Sequence, residues 1–283
     1  MTQPQGRLKG KVAVVTGGTL GIGQGIVLRF LKEGASVVYC SRNPANNAEN
    51  VALIAAIPGG PGRAKFRVAD AGRRDEIFAL VEGTATLFGG VDIVVNNAQG
   101  IAPGKPIEEK PDGDYSMSLI TGFYQSLWAS QAAFPHMRAK GSGRIILMSS
   151  HWNIYGHPYS SDYNCTKGAN ESLTRTMAHE WGRYGITVNC ITPAANSVVF
   201  KEHRLRDPEG CERIERTIPM RHMGDCEREI AGAVLGLCSN NGRFITGQTI
   251  CVDGGTWISP PLLHHTPGVD LHLGREQAPT ALA

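Results

Sequence analysis

The sequence predicts a single doubly wound α/β domain, a mainly parallel sheet with helices on both faces, and three stretches carry that prediction. Lys11 to Thr16 (KVAVVT) is a short, β-branched apolar run of the kind buried on both faces of a parallel sheet. It passes straight into Gly17-Gly18-Thr19-Leu20-Gly21-Ile22-Gly23 and then into a helical pattern through Ile26, Val27, Phe30 and Leu31. Strand, glycine turn and helix in that order make a site for a dinucleotide. Glycines permit the tight turn and the close approach of backbone N–H groups, and a helix N-terminus favours a pyrophosphate. The third stretch is Ser149 to Lys167 (SSHWNIYGHPYSSDYNCTK), which follows the apolar run Ile145 to Met148 and reads as the mouth of a buried strand leading into a helix.

Composition fits one domain and narrows the partners. The 283 residues with 41% hydrophobic content supply ample core for a soluble globular chain. No apolar run reaches the ~18 residues needed to span a membrane. The start, MTQPQGRLKGK, lacks a secretory apolar stretch, so a cytoplasmic location is expected. The net charge of +3 is spread without a basic block, which predicts neither nucleic acid nor membrane as partner. Seven cysteines, an odd number with no C-x-x-C, argue against a disulfide framework or a zinc site.

The remaining elements follow in order. Ser36 to Cys40 is a second strand ending at Ser41-Arg42-Asn43, and Asn46 to Gly62 reads as a helix closed by the breaker cluster PGGPG. Lys65 to Val68 is a third short strand leading to Asp70, a helix cap or a cofactor contact. Arg73 to Phe88 is an amphipathic helix with Ile77, Leu80, Val81 and Leu87 inward, followed by a strand at Asp92 to Val95 and a turn at Asn96. A long helix spans about Asp112 to Lys140. Phe200 to Met223 is charged and interrupted by prolines, and reads as a substrate-covering lid or a solvated face. Glu227 to Cys238 is the last main helix, before a strand around Gln248 to Val252. The expected division is a domain over residues 1–258, with its lid at about 194–223, and an irregular tail over 259–283.

The chemistry concentrates in the Ser149 to Lys167 stretch. Tyr163 and Lys167 stand four apart on a helix, so their side chains share one face. An ammonium beside a phenol favours the phenolate and lowers its pKa from about 10, which suits Tyr163 to exchange a proton with an alcohol or ketone. The Ser150 hydroxyl would steady the substrate oxygen. Trp152 and Tyr155 lie between them, as walls of a substrate pocket or as loop packing. His151 and His157 have no Cys or acidic partner at ligand spacing, and no metal site is predicted.

The spacing TG-x3-G-x-G, with Ser150 and Tyr-x3-Lys, resembles the short-chain dehydrogenase/reductase family, and in it the 3-oxoacyl-acyl-carrier-protein-reductase-like carbonyl reductases. The resemblance runs from Gly10 to Trp257. It includes Asn96-Asn97-Ala98, Val188 to Pro193, Ile245 to Gln248, and Val252-Asp253-Gly254-Gly255. It implies a seven-stranded sheet of order 3-2-1-4-5-6-7 and a homodimer or homotetramer. It also implies cofactor contacts from Gly17, Thr19, Gly21, Ile22, Gly23, Ser41, Arg42, Asp70, Asn96, Ala98, Tyr163, Lys167, Pro193 and Ser197. NAD-preferring members carry Asp at the position of Ser41; with Ser41 and then Arg42 here, NADP(H) is favoured over NAD(H).

The activity implied is interconversion of a ketone and a secondary alcohol. Hydride passes between nicotinamide C4 and the carbonyl carbon, Tyr163 handles the oxygen's proton, and Lys167 also binds the nicotinamide ribose. Three positions depart from the family. Gln99 stands where Asn-Asn-Ala is usually followed by Gly, and is expected to shape the substrate pocket. Gly122, or Leu119 on a shifted alignment, stands where the family's catalytic Asn holds a water below the Lys. Asn196 or Ser197 replaces the usual Thr after Pro193. These departures keep open an imine or double-bond reductase, an isomerase, or a nucleotide-binding regulatory protein with weak catalysis.

Overall fold

The computed structural model describes residues 6–258, so the predicted tail over 259–283 lies outside the described residues. Strand β1 (Val12–Val15) is buried at all four positions because both its faces are covered. Around it are β2 (Ser36–Ser41), β3 (Ala64–Val68), β4 (Ile93–Asn96), β5 (Gly143–Met148), β6 (Ile186–Pro193) and β7 (Thr249–Val252). They form one sheet of order β3-β2-β1-β4-β5-β6-β7, parallel at every pairing, as the resemblance implied.

Side chains alternate across the sheet with the period of two that a strand imposes, and this sorts the core into two layers. Ala13 and Val15 pack with Ile26, Val27 and Phe30 of α1 (Gly21–Lys32) and with Val234 and Leu235 of α11 (Ala231–Cys238). Val14 packs on the other side, with Ile77 and Val81 of α4 (Arg74–Phe88), Ala129 and Met137 of α6 (Gln125–Lys140), and Met177 of α8 (Ser161–Trp181). At the N-terminal edge the Asp92 carboxylate accepts the Val12 N–H at 2.9 Å and the Lys140 ammonium at 3.1 Å, which fixes β1 to β4. The carboxyl ends of the strands are thereby left at the opposite edge, where chemistry collects in this architecture.

Several expectations need correction. The stretch expected as one helix over Asn46–Gly62 divides into a 3-10 turn (Pro44–Asn47), α2 (Ala48–Ala55) and α3 (Gly60–Arg63), with Gly59 at φ 68° breaking the path. In α4 the inward row is Ile77, Leu80, Val81 and Thr84. Leu87 is 48% exposed because Phe88 takes the next core position. The long helix exists as α5 (Asp112–Leu119) and α6 joined by a π turn at Ile120–Tyr124. The lid stretch holds two helices, α9 (Val198–Arg206) and α10 (Pro208–Thr217), and α11 is entered through a π turn at Cys226–Ile230. Helix α7 (His151–Tyr155) occupies the loop after β5. Among the described residues no helix is long and apolar enough to cross a membrane, all seven cysteines are free, and no cluster suited to a metal ion occurs.

Candidate active site

The glycine turn follows β1, and its shape is set by contacts the sequence did not disclose. The Asn97 amide donates to the carbonyls of Thr16 and Gly17, both at 3.0 Å. The Thr16 hydroxyl accepts the N–H groups of Asn97 and Ala98 at 3.0 and 3.1 Å. Together these lock the β4 turn onto the β1 turn. Gly17 has φ +63°, a left-handed backbone that favours glycine, and a Cβ on Gly23 would lie 2.1 Å from the Gly17 carbonyl oxygen. The N-cap of α1, Leu20, offers no side-chain cap to the first-turn N–H groups, which suits that end to an anion. Thr19 is buried, Ile22 is half-buried, and Ser197 faces Gly21 across the cleft while capping α9 through Phe200 N. This cradle fits a pyrophosphate.

At the end of β2, Ser41 is half-buried and Arg42 exposed. Among the described residues the Ser41 hydroxyl bonds with the backbone of Asn43, and the neighbouring Arg42 side chain is exposed. Asp70 turns its carboxylate to Gly72 N at 2.8 Å. Asn96 was expected to face the cofactor, but its side chain is in the interior. It accepts from Gln125 Nε2 at 3.0 Å and donates to Ser130 at 3.3 Å, which leaves its backbone as the part that could meet a cofactor. Pro193 closes β6, and Asn196 N bonds Gly224 O at 2.9 Å.

Ser150, Tyr163 and Lys167 converge at the mouth of β5. Lys167 is buried, with its Nζ 5.0 Å from the centre of the Tyr163 ring and donating to the Met148 carbonyl at 3.1 Å. Ser150 caps α7 by accepting Trp152 N at 3.2 Å, and its hydroxyl also meets the Tyr163 side chain. The electrostatics differ from the expectation that Lys167 pulls Tyr163 toward ionisation. Burial pushes the Tyr163 phenol up to about 12, only partly offset by the Ser150 hydroxyl, and burial pushes the Lys167 ammonium down to about 8. Desolvation is the largest influence on each of the two groups. The raised value favours the protonated phenol at neutral pH.

The aromatic residues of α7 are ordered by one another. Trp152 stacks on His157 at 4.0 Å and meets the Tyr163 ring edge-on at 5.9 Å, which places it beside Tyr163. Tyr155 stacks on Trp257 at 5.3 Å and donates its hydroxyl to the Trp257 carbonyl at 2.7 Å, so loop packing accounts for its placement.

Gln99 does not reach into the cleft as expected. Its amide nitrogen donates to Gly100 O, Ser118 O and Ser118 Oγ at 3.0, 3.2 and 3.1 Å, and its Oε1 lies against Gly122. A Cβ on Gly122 would sit 2.1 Å from that oxygen and 2.5 Å from Thr166 Cγ2. The two departures from the family pattern are thus one feature: a carboxamide from the β4 turn fills the room that a side chain at 122 would need.

Two further groups were missed. Lys110 and Asp162 form an ion pair at 2.7 Å whose side chains are 1% and 2% exposed, and Lys110 also donates to Pro103 O at 2.9 Å. Asp162 immediately precedes Tyr163, so the pair fixes the start of α8 to the loop before α5. The second is a polar cluster on α8 behind Lys167, containing Asn170 and Glu171. The only signal in the sequence was an amide and a carboxylate three and four residues beyond Lys167, on its own helix face.

With this geometry established, similarity to known proteins becomes informative. Residues 17–256 match the family model described as Enoyl-(Acyl carrier protein) reductase. A tropinone reductase homolog of Arabidopsis thaliana is 37% identical over 254 residues, 89% of this chain and 91% of that protein. The 3beta-hydroxysteroid dehydrogenase 1 of Eggerthella lenta is 34% identical, covering 89% of this chain and 96% of its own length. The crystal structure of levodione reductase superposes with a TM-score of 0.83 at 26% identity, over 89% of this chain and all of that one. The chain belongs to the short-chain dehydrogenase/reductase family of NAD(P)-dependent oxidoreductases.

Proposed function

We propose that the chain is an NADP(H)-dependent oxidoreductase that interconverts a ketone and a secondary alcohol, with Tyr163 as its proton donor and acceptor. The observation that carries this reading is the placement of Lys167 Nζ 5.0 Å from the Tyr163 ring, with the Ser150 hydroxyl beside the phenol. The glycine turn from Gly17 to Gly23 and the open start of α1 would hold the pyrophosphate. Arg42 would meet a 2′-phosphate, which an acidic residue at Ser41 would repel. Lys167, Pro193 and Ser197 would hold the nicotinamide end. A bound nicotinamide supplies or takes the hydride.

The protein's own contribution is positioning and proton transfer. Ser150 donates to the substrate oxygen and aligns it with Tyr163. The Tyr163 phenol, with its pKa pushed up to about 12, carries its proton at neutral pH and can give it to an oxygen that gains charge as the carbonyl is reduced. That favours the reductive direction. In the oxidative direction Tyr163 must ionise, and Lys167 is the group that would stabilise the phenolate. Trp152 sets an aromatic side chain edge-on beside Tyr163, an apolar neighbour that suits a cyclic ketone. The names of the two curated relatives, a tropinone reductase homolog and a hydroxysteroid dehydrogenase, point to the same class. A homodimer or homotetramer in the cytoplasm completes the reading.

Fluorescence titration with NADPH and NADH, before and after Arg42→Asp, tests the cofactor assignment. Wild type should bind NADPH at least about tenfold more tightly, a difference of about 1.4 kcal/mol, and the variant should lose or reverse that preference. Equal affinities in wild type, or a preference untouched by the substitution, would remove Arg42 from the site.

A further inference from the structure

Lys167 is a buried ammonium with three N–H donors, and the Met148 carbonyl at 3.1 Å is the one acceptor it bonds among the described residues. That same carbonyl accepts Asn170 Nδ2 at 3.2 Å. The Asn170 carboxamide and the Lys167 ammonium therefore converge on one oxygen, one turn apart on α8. Asn170 is 1% exposed, and its Oδ1 has no hydrogen-bond partner among the described residues. A buried carbonyl oxygen without a donor is unfavourable by about 1–3 kcal/mol, and here it belongs to the carboxamide that shares the Met148 carbonyl with an ammonium holding that single acceptor among the described residues. Glu171, the other candidate, is already committed: its Oε1 accepts Ser149 Oγ at 2.6 Å and Asn153 Nδ2 at 3.1 Å. Gly122 has no side chain to offer.

We propose that Asn170 is a positioning residue for Lys167: its Oδ1, directly or through one water, is the second acceptor that holds the ammonium charged and aimed at Tyr163. The inference rests on the reading of Tyr163 and Lys167 as the proton-handling pair. The titratable groups around Lys167 are Tyr163 and Glu171 on α8 and Cys190 on β6, with the Lys110–Asp162 pair further round α8. Asn170 itself does not titrate, so its effect is exerted on Lys167.

The test uses full-length protein labelled with 13C at the lysine ε carbon, the Lys167 signal being assigned by its loss in Lys167→Arg. Its pH midpoint is then compared in wild type, Asn170→Leu and Asn170→Asp. Loss of the acceptor should lower the Lys167 midpoint by about one unit, a tenfold change in the proton equilibrium, and the carboxylate should raise it. NADPH-dependent ketone reduction by Asn170→Leu should fall about tenfold in kcat at neutral pH, with little change in the KM for NADPH.

If Asn170 served only to tie α8 to β5, Asn170→Leu would lower the melting temperature and leave the Lys167 midpoint in place; that result overturns the proposal. So do midpoints that coincide in all three proteins. The NMR readout needs no turnover. Shifted midpoints in a protein that reduces no ketone would support Asn170 and sink the proposed activity, while unshifted midpoints in an active enzyme would sink Asn170 alone.

Discussion

Gly122→Ala is a one-carbon change whose outcome follows from two distances. The new Cβ would stand 2.1 Å from Gln99 Oε1 and 2.5 Å from Thr166 Cγ2, against an ordinary contact of 3.4–4 Å. Neither neighbour yields freely. The Gln99 amide is held by Gly100 and Ser118, and the Thr166 hydroxyl donates to Asp162 O at 3.0 Å, which fixes its methyl. Overpacking of this kind typically costs about 1–3 kcal/mol. That outweighs the roughly 1 kcal/mol by which Ala exceeds Gly within a helix, so the variant should be less stable than wild type. Gln99→Ala removes the nearer obstacle and leaves the Thr166 methyl. In that background the cost of Gly122→Ala should fall by about 1 kcal/mol or more. Urea unfolding of the four proteins gives the coupling directly. If the two substitutions add within about 0.5 kcal/mol, Gln99 does not occupy the space beside Gly122 and the reasoning is refuted.

Two further outcomes are expected. Lys110→Met leaves Asp162 as an uncompensated buried carboxylate and should destabilise by about 3–5 kcal/mol, whereas Lys110→Met with Asp162→Leu should recover most of it; equal losses in urea unfolding would contradict the pair's role. Lys167 has a folded-state pKa of about 8 against 10.5 for the free side chain, so between those values the unfolded chain holds a proton that the folded chain has released. Stability from this group is then present above 10.5 and lost as pH falls through 8, and wild type should gain on Lys167→Met by on the order of 2–3 kcal/mol across that window. A pH-independent difference between the two proteins would show that Lys167 is solvated.

The fold was legible because its signals are local. The β-branched run at Val12–Val15, the glycines that follow it and the amphipathic row of α1 each declare an element within a dozen residues, and parallel strands joined by helices leave few topologies. Ser150, Tyr163 and Lys167 were legible for the same reason, being fixed by one strand end and one helix face. The Lys110–Asp162 pair was not, since it joins residues 52 apart across several intervening elements, and Lys110 lies in the irregular stretch before α5. Gln99 and Gly122 were each visible as a departure, but only the packing shows that one occupies the room of the other. The direction of the Asn96 side chain was not legible because a side chain at a strand end can turn either way, and the donor and acceptor that decide it, Gln125 and Ser130, come from α6. The Tyr163 pKa was misjudged because charge proximity is readable from spacing and desolvation is not.

The central claim is that Tyr163 supplies the proton at a site built to hold NADPH. Single-turnover oxidation of bound NADPH by a cyclic ketone, in wild type and in Tyr163→Phe loaded to equal occupancy, tests it most directly. The account predicts ketone-dependent oxidation in wild type and a loss of at least about 10²-fold in the variant, the lower range for a general acid, with NADPH affinity unchanged. Oxidation at comparable rates in both proteins would contradict it.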